Sequence, residues 1–255
     1  MVALITGGSS GMGLEFARGL ASRGCELMIV SNREDELESA AAALSAEFPV
    51  RVQTHFQDLA KPLAADELFD WSRGEGILPD VLVNDAGMFF FKELKTEDID
   101  RVQAMLNLHI TTVTRLCILF GNAMKQRGYG YILNVSSMAA RIPAPGITVY
   151  SASKAYLRSF GKSFSYELEP YGVRMMTVCP AAIATPLYRL DPKKLRLGVR
   201  VGLIRTPRWL AKRALRALFR GRRRVLSPAF MNIWLPALIS ALPSPIISRL
   251  WKRFK

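Results

Sequence analysis

The chain has 255 residues, half of them apolar, which is enough for one large buried core and too few for two domains of ordinary size. Its three cysteines are far apart and odd in number, which excludes a disulfide framework or a cysteine metal site, and the N-terminal sequence shows no secretory signal, so we expect a cytoplasmic protein. The net charge of +14 is concentrated at one end, because residues 189–255 contain 18 Lys and Arg against one acidic residue, and this asymmetry favours an anionic partner.

Short apolar runs alternate with longer amphipathic segments over the first 180 residues. The runs predict strands at 2–6, 26–30, 52–56, 81–84, 131–135 and 173–178. Helices are predicted between them at 14–21, 34–47, 65–73, 96–124 and 153–171. Nearly continuous apolar strands are typical of a parallel sheet that is buried on both faces. The alternation therefore predicts a single-domain α/β fold with a doubly wound, Rossmann-like parallel sheet.

The alternating pattern weakens after Thr185. Residues 186–210 are predicted to form a loop or lid over a substrate, and the sequence PRWLAKRALRALF at its end has the apolar spacing of a helix. We therefore predict a catalytic domain over residues 1–225 and a basic, apolar C-terminal extension over residues 226–255.

A glycine-rich turn, TGGSSGMG, follows the first predicted strand and opens a helix. Residues without a Cβ let backbone N–H groups approach a pyrophosphate at the helix N-terminus. The predicted cradle comprises Gly7, Ser9, Ser10, Gly11, Met12 and Gly13. A glycine cluster alone is a weak signal, because many turns are rich in glycine. Its place directly after a strand and at the start of a helix is what predicts a dinucleotide site.

The second predicted strand ends in VSNRE, where a site for NAD usually places a carboxylate on the ribose hydroxyl. Here the position holds Ser31, followed by Asn32 and Arg33. Arg33 is either a solvated surface side chain or a clamp on the 2′-phosphate of NADP. We predict the clamp, and therefore a preference for NADP(H).

Polar side chains that suit proton transfer lie in and beside the second half of the predicted sheet. Tyr150 and Lys154 are four residues apart on a predicted helix and so share a face. Ser137 lies 13 residues before the tyrosine, at the end of a strand, and Asn107 lies inside another helix. Strand ends at one edge of a parallel sheet are where ligands bind, so we expect these groups to converge there.

Taken together, these motifs resemble the short-chain dehydrogenase/reductase family of single-domain enzymes. The resemblance covers residues 1–185 and rests on the glycine turn, the sequence NDAG, the Asn–Ser–Tyr–Lys set and the sequence CPAAIAT. Two departures stand out. Asp85 replaces the second Asn of the family's N-N-A-G motif, and Cys179 and Ala181 stand where the family often has Asn and Gly.

The resemblance implies a role for each member of the set. Tyr150 would donate a proton to the oxygen of a carbonyl that is being reduced, and Lys154 would favour the phenolate and bind the nicotinamide ribose. Ser137 would hydrogen-bond the substrate oxygen, and Asn107 would hold a water that links the lysine to solvent. The other cofactor contacts it implies are Asp58, Leu59, Asn84, Ala86, Gly87, Pro180, Ile183 and Thr185.

The implied activity is NADPH-dependent reduction of a ketone on a hydrophobic, long-chain substrate such as 3-ketosphinganine. A 3-oxoacyl thioester or a sterol ketone is the next expectation, and a non-catalytic NADP-binding sensor or scaffold is the alternative class.

The apolar sequence MFFFKEL at 88–94 lines a substrate cleft or belongs to the core. His55 and His109 are isolated and are predicted to be structural, and no metal is expected. The family implies a homodimer or homotetramer.

The C-terminal sequence contains an uncharged run of 24 residues at 225–248 that is interrupted by four prolines. Prolines break a helix, so we do not expect a transmembrane span. The basic flanks Arg220–Arg224 and Lys252–Lys255, with Trp234 and Trp251, favour an element that lies on an anionic membrane, at its cytoplasmic face. The alternative is a flap over the substrate pocket or a dimer contact. Nucleic acid is not favoured, because the basic residues are interleaved with aliphatic ones.

Overall fold

The computed structural model describes residues 1–184, 200, 204–221, 224–227, 238–241 and 243–252. Thr185, most of the predicted lid and much of the predicted extension lie outside the described residues. The described part confirms the doubly wound, Rossmann-like α/β fold, which consists of one parallel sheet with helices packed on both faces.

Seven parallel strands form the sheet in the order β3-β2-β1-β4-β5-β6-β7. They are β1 (Val2–Thr6), β2 (Glu26–Ser31), β3 (Val52–Phe56), β4 (Val81–Asn84), β5 (Gly130–Val135), β6 (Val173–Val178) and β7 (Val225–Leu226). The first six coincide with the predicted runs to within one residue. The apolar pattern does not predict β7, which pairs with β6 and carries the sheet across the proposed domain boundary at residue 225.

Eight α-helices have bounds that lie within the described residues. They are α1 (Gly11–Ala21), α2 (Glu34–Glu47), α3 (Ala64–Gly74), α4 (Ile99–Leu106), α5 (Val113–Arg127), α6 (Thr148–Leu168), α7 (Pro207–Arg220) and α8 (Ser244–Lys252). A π-helical turn, Asn107–Thr112, joins α4 to α5, and a 3₁₀ turn, Met138–Arg141, precedes α6. Helix α6 begins five residues earlier than predicted, which places Tyr150 in its first turn.

Two apolar layers hold the helices to the sheet. On one face, Phe16 of α1 and Leu210 and Leu215 of α7 are fully buried against β1 and its neighbours. On the other face, Phe120 of α5 and Leu157 of α6 pack with the strands of the same sheet. Each such side chain contributes about 1.5–3 kcal/mol to folding, so the sheet edge that carries the polar residues is a rigid platform.

The C-terminal limit of the predicted lid is wrong. Residues 207–210 form the first turn of α7, and Leu210 is fully buried in the core. Thr206 caps this helix by accepting a hydrogen bond from the Trp209 N–H, and Pro207 takes the first helical position, where its missing N–H costs nothing. Just before this cap, Arg205 forms a parallel β-bridge with Ile183.

The sheet also fixes where a ligand can bind. From β1 the chain moves outward to β2 and β3, and then returns to place β4 on the other side of β1. The connections that leave the carboxyl ends of β1 and β4 therefore diverge to opposite faces and open a crevice between them.

Candidate active site

A cavity of about 800 Å³ occupies the crevice at the carboxyl ends of the strands. Sixteen of the predicted site residues line it, and they come from every connection at this edge. They are Gly7, Ser9, Ser10, Gly11, Met12, Ser31, Asn32, Arg33, Asp58, Leu59, Ala86, Gly87, Tyr150, Lys154, Pro180 and Ile183. The volume falls within the range of known small-molecule sites.

The glycine turn at one end of the cavity requires its glycines. Gly7 and Gly11 have positive φ values of +70° and +57°, a backbone region that other residues rarely adopt. A Cβ on Gly13 would lie 2.1 Å from the carbonyl oxygen of Gly7, so α1 could not pack so closely against the turn. Gly13 itself does not line the cavity. The turn at the N-terminus of α1 thus fits the diphosphate of a dinucleotide, which backbone N–H groups and the helix dipole can bind.

The end of β2 carries hydroxyl and basic groups. Ser31 Oγ lies 2.8 Å from Ser9 Oγ and accepts a hydrogen bond from the backbone N–H of Arg33. The exposed Arg33 guanidinium donates to Glu36, one helical turn along α2, at 2.5 Å. Glu36 also lines the cavity, and sequence reasoning does not identify it. A phosphate at this position would attract Arg33 and be repelled by Glu36.

Tyr150 and Lys154 meet in the middle of the cavity wall, and both side chains are buried. The Lys154 ammonium donates to the backbone carbonyl of Val135 at 3.0 Å and lies 5.7 Å from the centre of the Tyr150 ring. Burial lowers the pKa of Lys154 to about 8, against the opposing effect of Asp85 and Cys179. The lysine is therefore a buried neighbour of the phenol whose pKa lies closer to neutral pH than that of an exposed lysine.

Asp85, the departure in the NDAG sequence, lies in the cavity wall close to this lysine. It accepts a hydrogen bond from the Gly13 backbone, while its Oδ1 is buried and has no hydrogen-bond partner among the described residues. Burial raises the pKa of Asp85 to about 7, opposed by Lys154 and by the Gly13 hydrogen bond. Because Asp85 stands where the family motif has Asn, the cavity wall holds a second group, besides Lys154, whose pKa is shifted toward neutral pH.

Ser137 lies two residues after β5 and caps the 3₁₀ turn that precedes α6. Its Oγ accepts a hydrogen bond from the Ala139 N–H at 3.1 Å, a bond that does not use the hydroxyl hydrogen. Ser137 is buried but is not among the lining residues, whereas Ser136 lines the cavity and donates to the Lys154 backbone carbonyl. The structure thus brings Ser137 to the correct edge of the sheet and leaves Ser136 at the cavity surface.

The side chain of Asn107 does not line the cavity. It donates to the Ala60 carbonyl and accepts a hydrogen bond from Gln103, both at 3.0 Å. Asn84, also predicted as a cofactor contact, is buried behind the cavity, where it donates to Asn134. Neither side chain lines the cavity: Asn84 bonds within the sheet, and Asn107 bonds to the loop after β3.

His109, rather than the Asn107 side chain, lies at the cavity beside Tyr150. It follows Asn107 by two residues and is almost completely buried, with its ring 5.9 Å from that of Tyr150. The difference arises from the π-helical turn, because its i→i+5 bonds rotate the following side chains relative to a regular α-helix. The sequence does contain a signal for His109, because it is a polar residue close to Asn107 on an otherwise apolar face of the predicted helix.

The far end of the cavity is apolar. Phe89 contacts Tyr150 edge-to-face, with ring centres 5.0 Å apart, while Phe90 is buried and Phe91 is exposed. Both alternatives for this segment are therefore partly correct, because it lines the cavity and also contributes to the core. Trp251 of α8 packs against Phe91, so the C-terminal helix lies at this end of the cavity.

The family profile described as short chain dehydrogenase matches residues 1–195. The chain belongs to this family of oxidoreductases. The very-long-chain 3-oxoacyl-CoA reductase of Mus musculus is 30% identical over 199 residues, which cover 76% of this chain and 62% of the mouse enzyme. The 17-beta-hydroxysteroid dehydrogenase type 3 of Danio rerio is 31% identical over 192 residues, which cover 72% of this chain and 61% of that one.

Solved short-chain dehydrogenases share the whole fold. One from Sphingobium yanoikuyae, in complex with NADPH, is 26% identical with a TM-score of 0.78, covering 95% of this chain and 96% of that chain. A ketone-specific alcohol dehydrogenase from Comamonas testosteroni is 25% identical with the same TM-score and covers 95% of each chain. This short-chain dehydrogenase spans about three fifths of the length of the curated relatives above.

Proposed function

We propose that this short-chain dehydrogenase reduces the 3-oxo group of a long-chain lipid, with NADPH as the hydride source. One observation carries the proposal. A single cavity joins a glycine turn suited to a dinucleotide, the buried Tyr150–Lys154 pair and an apolar wall that begins at Phe89. The tyrosine lies between the two ends, where a ketone must meet the reduced cofactor.

The residues of the cavity supply the proton chemistry. A bound reduced nicotinamide supplies the hydride, and negative charge then develops on the ketone oxygen. The Tyr150 hydroxyl donates a proton to this oxygen, and the Lys154 ammonium, 5.7 Å from the ring centre, favours the phenolate that remains. Ser137 lies next to the lining residue Ser136, and its hydroxyl hydrogen is not used by the bond from Ala139. If the hydroxyl reaches the cavity when substrate binds, it would donate a hydrogen bond to the ketone oxygen, where negative charge develops.

The described residues fit the cofactor at three points. The glycine turn would hold the diphosphate, Asp58 at the adenine end would contact the base, and Lys154 would bind the nicotinamide ribose. Pro180 and Ile183 would border the nicotinamide. Thr185, proposed to bind the carboxamide, lies outside the described residues.

Arg33 is proposed to select NADPH over NADH. Because a charge-assisted hydrogen bond contributes about 1.5–3 kcal/mol, Arg33→Ala should weaken NADPH binding about tenfold or more and leave NADH binding unchanged. Glu36→Gln, the matched variant, should strengthen NADPH binding, since it removes a carboxylate that pairs with Arg33 at the phosphate site. Dissociation constants from nucleotide fluorescence test both variants. Equal losses for the two nucleotides on removal of Arg33 would contradict its role in selectivity.

The substrate class is proposed from the cavity wall and the names of the relatives. The aromatic side chains of 89–91 and Trp251 suit an alkyl chain rather than a polar sugar. A 3-oxoacyl thioester and 3-ketosphinganine both carry a 3-oxo group on a long chain, and the relatives named very-long-chain 3-oxoacyl-CoA reductase favour the thioester.

The test is NADPH oxidation with long- and short-chain 3-oxoacyl-CoA, 3-ketosphinganine and a steroid ketone. We expect kcat/KM to be highest for a long-chain 3-oxo substrate. Preference for the steroid would move the assignment to the activity that the zebrafish relative's name describes. NADPH binding without turnover of any ketone would favour the non-catalytic sensor or scaffold.

We further propose that the basic end of the chain places the enzyme on an anionic membrane, at its cytoplasmic face. All five exposed residues of α7 are basic, and none of them forms an ion pair within the described part of the chain. They are Arg208, Lys212, Arg213, Arg216 and Arg220. At the cavity end, α8 exposes Ile246 together with two basic side chains, Arg249 and Lys252.

The long helical segment 96–127 is apolar enough to cross a bilayer by composition, but residues such as Phe120 bury its apolar side in the core.

Lys212→Glu/Arg216→Glu should weaken binding to phosphatidylcholine vesicles that contain phosphatidylserine. Each basic residue at such a surface contributes about 1 kcal/mol, so the double variant should bind at least about thirtyfold more weakly. Arg51→Glu/Lys61→Glu, the matched control on other exposed residues, should bind as the wild type does. Sedimentation with vesicles measures this. Equal binding of both variants, or wild-type binding to DNA but not to vesicles, would contradict the membrane role of α7.

We also propose that the chain forms homodimers or homotetramers through α5 and α6. Ile118 of α5 and Tyr156 and Tyr166 of α6 are exposed apolar or aromatic side chains on these adjacent helices. Light scattering after size-exclusion chromatography distinguishes these states from a monomer, which would refute the pairing.

A further inference from the structure

His109 makes hydrogen bonds through both ring nitrogens, beside Tyr150 in the cavity wall. The Met88 N–H donates to its Nε2 at 3.0 Å, and its Nδ1 lies 2.9 Å from Ser153 Oγ. Met88 belongs to the loop after β4 that leads into the apolar wall, and Ser153 lies one turn after Tyr150 on α6. One buried imidazole therefore connects the loop that leads into the apolar wall to helix α6, which carries Tyr150.

The hydrogen-bond directions fix the tautomer of this ring. Ser153 Oγ donates its only hydrogen to the Tyr150 carbonyl at 2.8 Å, so it can only accept from His109. His109 Nδ1 must therefore carry a hydrogen, while Nε2, which accepts from the Met88 N–H, must carry none. The two requirements agree with each other, and they describe a neutral imidazole protonated at Nδ1.

A charged His109 does not fit the same surroundings. An added proton on Nε2 would point at the Met88 N–H and break that hydrogen bond. Burial and the nearby Lys154 ammonium hold the pKa of His109 well below its usual value. A Cβ on Gly87 would lie 3.3 Å from His109 Nε2 and 3.8 Å from Lys154 Nζ, which shows how closely the loop, the histidine and the lysine approach one another.

We propose that His109, as the neutral Nδ1–H tautomer, is a positioning residue. It joins the loop after β4 to Ser153 of α6, whose hydroxyl donates to the Tyr150 carbonyl, and so fixes Tyr150 relative to the apolar wall of the cavity. The kinetic part of this inference rests on the proposed ketone reduction, whereas the tautomer does not. Since both ring nitrogens are used, His109 does not shuttle the proton that restores Tyr150.

Two substitutions each keep one of the two hydrogen bonds. In His109→Asn the amide reaches the position of Nδ1 and can still donate to Ser153, but it cannot reach Met88. In His109→Gln the amide oxygen reaches the position of Nε2 and can accept from Met88, but Ser153 loses its donor. A buried polar group left without its partner costs enough that kcat should fall about five- to hundredfold in each variant. NADPH affinity should stay unchanged, because neither bond involves the cofactor residues.

The pH profile separates positioning from acid–base catalysis. We expect kcat in both variants to be lower at every pH, with the limbs of the profile at their wild-type positions, because a neutral His109 does not titrate. A limb that disappears in both variants would show that His109 transfers protons and would overturn the proposal. Wild-type kcat in both variants would overturn it as well, whereas absence of turnover in the wild type would refute only the proposed reaction.

Nitrogen NMR tests the tautomer directly on the wild-type protein. The chain has only two histidines, so a His55→Gln variant assigns the second signal. We expect His109 to show the Nδ1–H form throughout the pH range in which an ordinary histidine titrates, while His55, which is partly exposed, becomes charged at low pH. An Nε2–H form, or a charged His109 within that range, would contradict the proposal even if every variant failed to fold.

Discussion

Tyr150→Phe is expected to lower kcat for ketone reduction by roughly 10²- to 10⁴-fold, the usual contribution of a positioned general acid. The change removes one oxygen from a buried ring whose edge-to-face contact with Phe89 stays intact. The Lys154 hydrogen bond to the Val135 carbonyl is also independent of the hydroxyl, so the shape of the cavity should not change. NADPH affinity should therefore stay close to that of the wild type.

Single-turnover NADPH oxidation and nucleotide fluorescence measure the two quantities separately. Tyr156→Phe is the matched control, because Tyr156 lies on the same helix and is exposed, with its hydroxyl bonded to Thr114 rather than to the site. We expect wild-type turnover from this control. If Tyr150→Phe also kept most of its turnover, another group would have to donate the proton, and the assignment of the site would be wrong.

Gly13→Ala should both destabilise the fold and disable the cofactor site. The new Cβ would lie 2.1 Å from the Gly7 carbonyl oxygen and 2.7 Å from its carbonyl carbon, both of which are backbone atoms that cannot rotate away. Relief requires α1 to move off the turn. Overpacking of this kind costs about 1–3 kcal/mol, and the same displacement spoils the N–H groups that bind the diphosphate. We expect a lower urea midpoint and at least about tenfold weaker NADPH binding.

Gly74→Ala is the matched control for this substitution. Gly74 lies at the end of α3 without a positive φ, and a Cβ added there would meet no atom of the described residues within 4 Å. Alanine at this position should leave NADPH binding unchanged and stabilise the fold by about 0.4–1 kcal/mol, because it restricts the unfolded chain. A Gly13→Ala protein that binds NADPH as tightly as this control would show that the turn does not cradle the diphosphate.

Local patterns in the sequence predict the sheet and the proximity of Tyr150 and Lys154. Five of the six predicted strands could be found because they are largely buried and therefore apolar along most of their length. The sixth, β3, lies at the edge of the sheet with no fully buried residue. The glycine turn could be found because positive φ at Gly7 and Gly11 restricts the residue type. Tyr150 and Lys154 share a face of α6 because the helical repeat fixes that relation within four residues.

The choice between Asn107 and His109 could not be made from spacing. Both are polar, they are two residues apart, and a regular helix across 96–124 gives no reason to prefer the second. The π turn at Asn107–Thr112 decides which of them faces Tyr150. That turn is stabilised by contacts with Ala60, Leu59 and Ser153, which come from distant parts of the chain.

The sequence by itself determined the doubly wound sheet, the dinucleotide turn and the Tyr150–Lys154 pair, because each depends on residues that are close in the chain. Only the tertiary structure decided that His109 enters the site, that Val225–Leu226 adds a seventh strand and that Trp251 reaches Phe91. These three features depend on packing between segments far apart in sequence. Such packing is governed by the shape of the assembled core, which no local periodicity encodes.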